Sequence, residues 1–208
     1  TWQRVVEESD AVIITNDDPT EERAIKIAYA LTSGKPVFVD KVLTLDRNEL
    51  DQILKMQRYP GQIFAGSGVS YSPDFNCVTI PPDCTNVNLE VPKSWRLYAV
   101  HALDLAFKVL GNSYLKLEAI AKGTDQSGTW ATLKVKNGPI VRITASEKDS
   151  TPISILIQSP TKSQQYVLSD PLLGFAGMLD YWMNISRRQI AEEHRRYYKQ
   201  IEILGVNL

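Results

Sequence analysis

The sequence is short of the residues that build metal centres and disulfide frameworks. It contains two cysteines, Cys77 and Cys84, and two histidines, His101 and His194, spread over 208 residues. That set does not supply the four grouped ligands of a structural zinc site, so no metal is expected. The cysteines fall in a stretch broken by proline and asparagine. They read as two unpaired thiols in a reduced, cytoplasmic compartment, with a local disulfide as the alternative. Charge of one sign is lacking too: 23 Lys+Arg against 24 Asp+Glu gives a net charge of −1, which excludes electrostatic capture of nucleic acid or of an anionic membrane. No apolar run approaches the roughly 20 residues that a membrane-spanning helix needs. The opening Thr1-Trp2-Gln3-Arg4-Val5 has no signal-peptide organisation. It also lacks an initiator methionine and has helical character, so a preceding piece of chain is expected. A glycine-rich dinucleotide fingerprint is missing as well, because Gly66-Ser67-Gly68 has no third glycine at the required spacing.

What is present has a clear order. Ala11 to Thr15 is a β-branched run suited to a strand buried on both faces. A turn at 16–19 follows, and Thr20 can cap a helix whose first turn holds Glu21 and Glu22. Ala24, Ile27, Ala28 and Leu31 make its apolar face, and Gly34 stands where a left-handed cap is wanted. Pro36 to Val39 is a second buried strand. Thr44 is expected to cap the next helix, which carries Leu50, Ile53 and Leu54. Strand, helix, strand, helix is the grammar of a parallel sheet with right-handed crossovers.

Beyond residue 62 the grammar changes. Gln62 to Gly66 reads as a strand leaving the first unit, and Ser72 to Lys93 as irregular, broken by Pro73, Pro81, Pro82 and Pro92. Trp95 to Leu110 is a helix stopped by Gly111. Four or five strands are expected from Tyr114 to Leu168, including a hairpin through Asn137-Gly138. Pro171 to Leu204 reads as two helices. The predicted fold is therefore α/β plus α+β. Residues 1–62 form part of a Rossmann-like parallel sheet, and residues 63–208 a mostly antiparallel open sheet with helices on one face.

Several residues could carry chemistry. Asp40-Lys41 closes a predicted strand, and ligands of open α/β sheets bind at the carboxyl ends of strands. A lysine there can reach a ribose or a substrate hydroxyl, although position alone does not separate it from a solvated lysine. Thr15-Asn16-Asp17 closes the preceding strand and can offer amides to a ribose or phosphate, or be an ordinary turn. His101 lies on the Trp95 to Leu110 helix with Asp104 three residues on, a pair suited either to proton transfer or to a structural hydrogen bond. Glu192 to Tyr198, including His194, reads as a solvated charged face. Trp130, Tyr181 and Trp182 read as core or interface aromatics. Asn184-Ile185-Ser186 matches a glycosylation sequon inside a helical pattern and is taken as chance.

Together these stretches resemble the oxidoreductases named for glucose–fructose oxidoreductase, inositol dehydrogenase and MocA. That family shows Asp-Ala-Val-Ile-Ile, a turn and a helix, then Gly-Lys-x-Val-x-x-Glu-Lys-Pro. This chain has Asp10-Ala11-Val12-Ile13-Ile14 and Gly34-Lys35-Pro36-Val37-Phe38-Val39-Asp40-Lys41-Val42. A later His-x-x-Asp-Leu with a following Leu-Gly is matched by His101-Ala102-Leu103-Asp104-Leu105 and Leu110-Gly111. The departures are Val42 for the proline, Leu97 for an aspartate four residues before the histidine, and Ser70 for an arginine. The glycine-rich pyrophosphate part of the Rossmann domain would precede Thr1. The resemblance implies hydride transfer between NAD or NADP and a hydroxyl-bearing carbon of a sugar, cyclitol or similar small molecule. It implies Lys41 as the catalytic lysine and His101 as a proton-relay or substrate-binding group, with Asp104 beside it. Thr15, Asn16, Asp40 and Lys41 would line the cofactor, and the second sheet would form a homo-oligomer. The alternative is a non-catalytic relative that serves as a binding or dimeric assembly module. A lyase or hydrolase on the same scaffold is a third option.

Overall fold

A computed structural model describes residues 1–15 and 20–205; the turn expected at 16–19 lies outside the described residues. The chain divides into two compact units. One is Thr1–Ser67 with Met178–Ile201, and the other is Gly68–Gly177 with the chain from Glu202.

In the first unit α1 (Trp2–Glu8) precedes β1 (Val12–Ile14), α2 (Glu21–Thr32), β2 (Val37–Asp40), α3 (Arg47–Lys55) and β3 (Ile63–Gly66). The three strands form one parallel sheet in the order β1-β2-β3, with Val12 beside Val37, Val37 beside Ile63, and Asp40 beside Gly66. The strand expected to leave this unit is thus its third member. Val37, Phe38, Val39, Ile63, Phe64 and Ala65 are all buried, as continuous apolar runs are when both faces of a parallel sheet are covered. Thr20 caps α2 by accepting the Arg23 N–H at 3.3 Å, and Gly34 follows the helix at φ +80°, a value that suits glycine. α3 corrects an expectation. Its cap is Asp46, whose Oδ1 accepts the Glu49 N–H at 2.8 Å. Thr44 stands two residues earlier and accepts the Asp46 N–H at 3.0 Å. Asp46-Arg47-Asn48-Glu49 has the acceptor-x-x-Glu spacing of a helix start, two residues later than Thr44 suggested.

The second unit begins with two 3-10 turns, Gly68–Tyr71 and Pro73–Phe75. It continues with β4 (Asn86–Val91), α4 (Trp95–Leu110), a further 3-10 segment (Gly111–Lys116), and β5 (Leu117–Asp125), β6 (Gly128–Val135), β7 (Ile140–Ala145), β8 (Ser154–Gln158) and β9 (Ser163–Val167). The six strands lie in the order β5-β6-β7-β4-β8-β9. β4 pairs parallel with β7, and the other pairings are antiparallel. β4 is the second correction, because it lies inside the stretch expected to be irregular. Its Asn86-Val87-Asn88-Leu89-Glu90-Val91 alternates strictly, with Val87, Leu89 and Val91 buried. That period of two outweighs the low strand preference of asparagine. Val87, Leu89, Val141, Ile143 and Leu133 pack with Ala99, Ala102, Leu103 and Ala106 of α4 in one core. The opposite sheet face carries Thr132, Arg142, Asn88 and Leu156 side by side. Finally, α5 (Pro171–Arg188) and α6 (Arg195–Leu204) close the chain, with Met178–Ile201 belonging to the first unit.

Candidate active site

In the first unit the carboxyl ends of the strands gather Thr15, Asp40 and Lys41. Thr15 follows β1 and is exposed; its expected companion Asn16 lies outside the described residues. Asp40 ends β2, and its Oδ1 accepts the Lys41 N–H at 2.9 Å. Lys41 is not a solvated strand end, since only 7% of it is exposed. The Lys41–Val42 peptide is cis. Arg23, in the first turn of α2, is buried to 1% exposure. Its Nη2 donates to the Asp40 carbonyl at 2.7 Å and also to the Val42 carbonyl.

One strand across, β3 ends in a polar cluster that sequence reasoning missed. The Tyr197 hydroxyl accepts the Ala65 N–H at 2.9 Å and donates to the Ala65 carbonyl at 3.2 Å. Arg196 Nη2 also donates to the Ala65 carbonyl, while its Nε donates to Glu192 Oε1 at 2.7 Å. Tyr181 adds a donation to Glu192 Oε2 at 3.2 Å. The Arg196 guanidinium stacks 4.5 Å from the Tyr197 ring and 5.1 Å from the Phe64 ring. A Cβ on Gly66 would come within 3.3 Å of that guanidinium, so the small residue leaves it room. Burial pushes the Tyr197 phenol well above its ordinary range and also raises Tyr181, helped by the Glu192 charge. The run Glu192 to Tyr198 is therefore two-sided: Glu192 and Tyr197 are buried, His194, Arg196 and Tyr198 are half-buried, and Glu193 and Arg195 are exposed as a solvated face would be. The signal that could have found it is the i,i+4 pair Glu192 and Arg196 meeting two tyrosines in the same turn, which gives that face an apolar lining.

In the second unit α4 holds His101 and Asp104. Ala99, Val100, Ala102 and Leu103 around His101 are buried, whereas His101 is half-exposed. Its ring lies 5.0 Å from that of Tyr98, and Lys93 Nζ sits 4.9 Å over the Tyr98 ring. Asp104, one helical turn along, is 4% exposed. Both cysteines are free. Trp182 is buried, with its ring 5.5 Å from that of Phe38. Ser186 of the sequon is buried and donates to the Gly61 carbonyl at 3.0 Å. Among the described residues no cluster of His, Cys, Asp or Glu could hold a metal ion, and no helix is long and apolar enough to cross a membrane.

No protein-family model matches the chain, and no curated protein matches it in sequence. Solved structures do match it in shape. A Gfo/Idh/MocA family oxidoreductase from Vibrio cholerae is 16% identical with a TM-score of 0.67, the match covering 98% of this chain and 79% of that one. The 3-ketoreductase KijD10 from Actinomadura kijaniata, in complex with TDP-benzene and NADP, is 17% identical with a TM-score of 0.71 over 99% of this chain and 79% of that one. By these matches, this chain has the fold of the Gfo/Idh/MocA oxidoreductases.

Proposed function

We propose that this chain carries the catalytic lysine of an NAD(P)-dependent oxidoreductase acting on a hydroxyl-bearing carbon of a sugar, cyclitol or similar small molecule. The observation that carries this reading is Lys41. It is a nearly buried lysine at the carboxyl end of a parallel strand, and its backbone is held on both sides. A solvated strand-end lysine would need neither the burial nor the clamp. Thr15, Asp40 and Lys41 offer a hydroxyl, a carboxylate and an ammonium at one sheet edge, a donor set that fits a ribose and a substrate hydroxyl. When bound, the nicotinamide supplies hydride acceptance and return. Lys41 holds or takes the proton at the reacting oxygen, and Asp40 fixes where the lysine starts. The part of His101 as proton relay or substrate ligand, with Asp104 beside it, follows from the resemblance. That the solved neighbour KijD10 is a ketoreductase crystallised with NADP supports a nicotinamide cofactor without choosing NAD or NADP. Assembly would use the second sheet's outer face, where Asn88, Thr132, Arg142 and Leu156 are half-buried. The two free thiols suit a cytoplasmic location.

The test is oxidation of a panel of sugars and cyclitols, followed by the appearance of reduced cofactor, in the protein that carries this sequence. Lys41→Ala is expected to lower turnover by about 10²- to 10⁴-fold, the scale of a positioned proton-transfer group, with an unchanged circular dichroism spectrum. Full turnover in Lys41→Ala would overturn the role of the lysine. Failure of NADH and NADPH to bind in a fluorescence titration would overturn the oxidoreductase reading.

A further inference from the structure

Arg23 is an arginine in the first turn of a helix, between Glu22 and Ala24. A cation there opposes the helix dipole, and burying one without partners is costly. Arg23 is nevertheless among the most buried large side chains of the chain. The explanation lies in what its guanidinium reaches. One nitrogen, Nη2, donates to the carbonyl of Asp40 and to the carbonyl of Val42. These two carbonyls bracket residue 41. Both lie at or past the last ladder position of β2, where Asp40 pairs with Gly66. The sheet therefore stops steering the chain just where Lys41 begins. The Lys41 N–H is held by Asp40 Oδ1 at 2.9 Å. Three hydrogen bonds thus fix the backbone on both sides of the lysine, and two of them come from one side chain of α2.

We infer that Arg23 is the positioning residue for Lys41: it sets the direction in which the lysine leaves the sheet by holding the peptide groups before and after it. It acts through the backbone of residues 40–42. A planar guanidinium is suited to the task because its donors are rigidly arranged and permanently charged, whereas an ammonium is a point charge on a flexible stem. Val42 does not fix its own φ as a proline would, so the constraint has to come from outside the segment. The inference rests on the reading of Lys41 as the catalytic lysine, and the experiment separates the two.

Protein labelled with 15N-lysine is compared as wild type, Arg23→Gln and Arg23→Lys, with the Lys41 amide signal assigned through Lys41→Arg. In Arg23→Gln the Lys41 amide is expected to move and to exchange its hydrogen about tenfold faster, as local opening becomes easier. The amides of Lys26 and Lys55 in the same unit stay in place. Where the wild type turns over, Arg23→Gln is expected to lower kcat by about 10²-fold, the scale of a roughly 1 Å misplacement. The cofactor KM should hold, and Arg23→Lys should recover part of kcat. A Lys41 amide that does not respond in a folded Arg23→Gln overturns the inference, and so does a kcat that does not respond. If Arg23→Gln fails to fold, the same readouts are taken on Arg23→Lys, where an unmoved Lys41 amide is again fatal. If the wild type shows no turnover with either cofactor, the enzyme reading falls. The amide signal alone then decides whether Arg23 governs Lys41.

Discussion

The two units are held together by different means. The first has three short strands, and its chain segments are tied by buried polar side chains. Arg23 bridges the carbonyls of Asp40 and Val42. Gln62 donates to the carbonyls of Leu31 and Lys35 and accepts the Arg58 N–H. Tyr197 closes both backbone groups of Ala65. The second unit has six strands, and its interior is a continuous apolar core: Val87, Leu89 and Val91 of β4, the facing residues of β6 and β7, the alanines of α4, and the rings of Phe75, Trp95, Phe107 and Tyr114. Burial of apolar surface is non-directional, so it stabilises a layer without dictating where each backbone group points. Hydrogen bonds are directional and costly to leave unmade when buried. The first unit therefore has the stricter geometry at its sheet ends, where Lys41 lies. The second offers His101 on a helix whose other faces are packed.

The two units are expected to respond to different injuries. The largest effect is expected from Leu103→Ala, which empties part of a fully buried site between α4 and its sheet and should cost about 2–5 kcal/mol. Denaturant unfolding measures the loss. Amide hydrogen exchange should place the lost protection in α4, β4 and β7, and a loss shared equally with β2 and β3 would break the contrast. A smaller effect, about 1–3 kcal/mol, is expected from Tyr197→Phe. That variant keeps the ring but leaves the Ala65 N–H without the phenol that accepts from it. Lost protection should centre on β3. A Tyr197→Phe protein as stable as the wild type would mean that packing, and not the directional bond, holds this unit too.

Sequence patterns exposed the apolar skeleton of both units more readily than the polar ties. The buried strands of the first unit, the α4 helix with its stop at Gly111, and the hairpin through Asn137-Gly138, with Asn137 at φ +60°, follow from periodicity and turn chemistry. β4 was hidden because its asparagines and the prolines on either side of it resemble a loop, although its alternation is regular. Lys41 and Asp40 stood out by their place at a strand end. Arg23 and Arg196 could not be assigned a place in that way. Apart from the i,i+4 contact of Arg196 with Glu192, the groups they reach are backbone carbonyls 17 to 131 residues away in the chain, and a carbonyl has no letter in the sequence. A charged run such as Glu192 to Tyr198 looks solvated until the strand that receives it is in place.

The smallest effect concerns His194, and it tests whether that run is truly inside. Burial lowers the His194 pKa from its ordinary value of 6.5, against the opposing pull of Glu192 and Glu193 and with help from Arg196. The folded protein thus resists a proton that the unfolded chain accepts. Stability is fully present above pH 6.5 and is lost as pH falls below that value toward the folded pKa, because the unfolded state then binds more protons. His194→Gln removes the titrating group and should flatten the melting temperature against pH between about 7 and 5.5, above the range in which ordinary carboxylates titrate. The ring is only half-buried, so solvent screening keeps the change small. Equal slopes in wild type and variant would place His194 in water and return the run to the solvated face that its charges suggest. A flatter slope in the variant would show that the polar interior of the first unit extends to the turn just before α6.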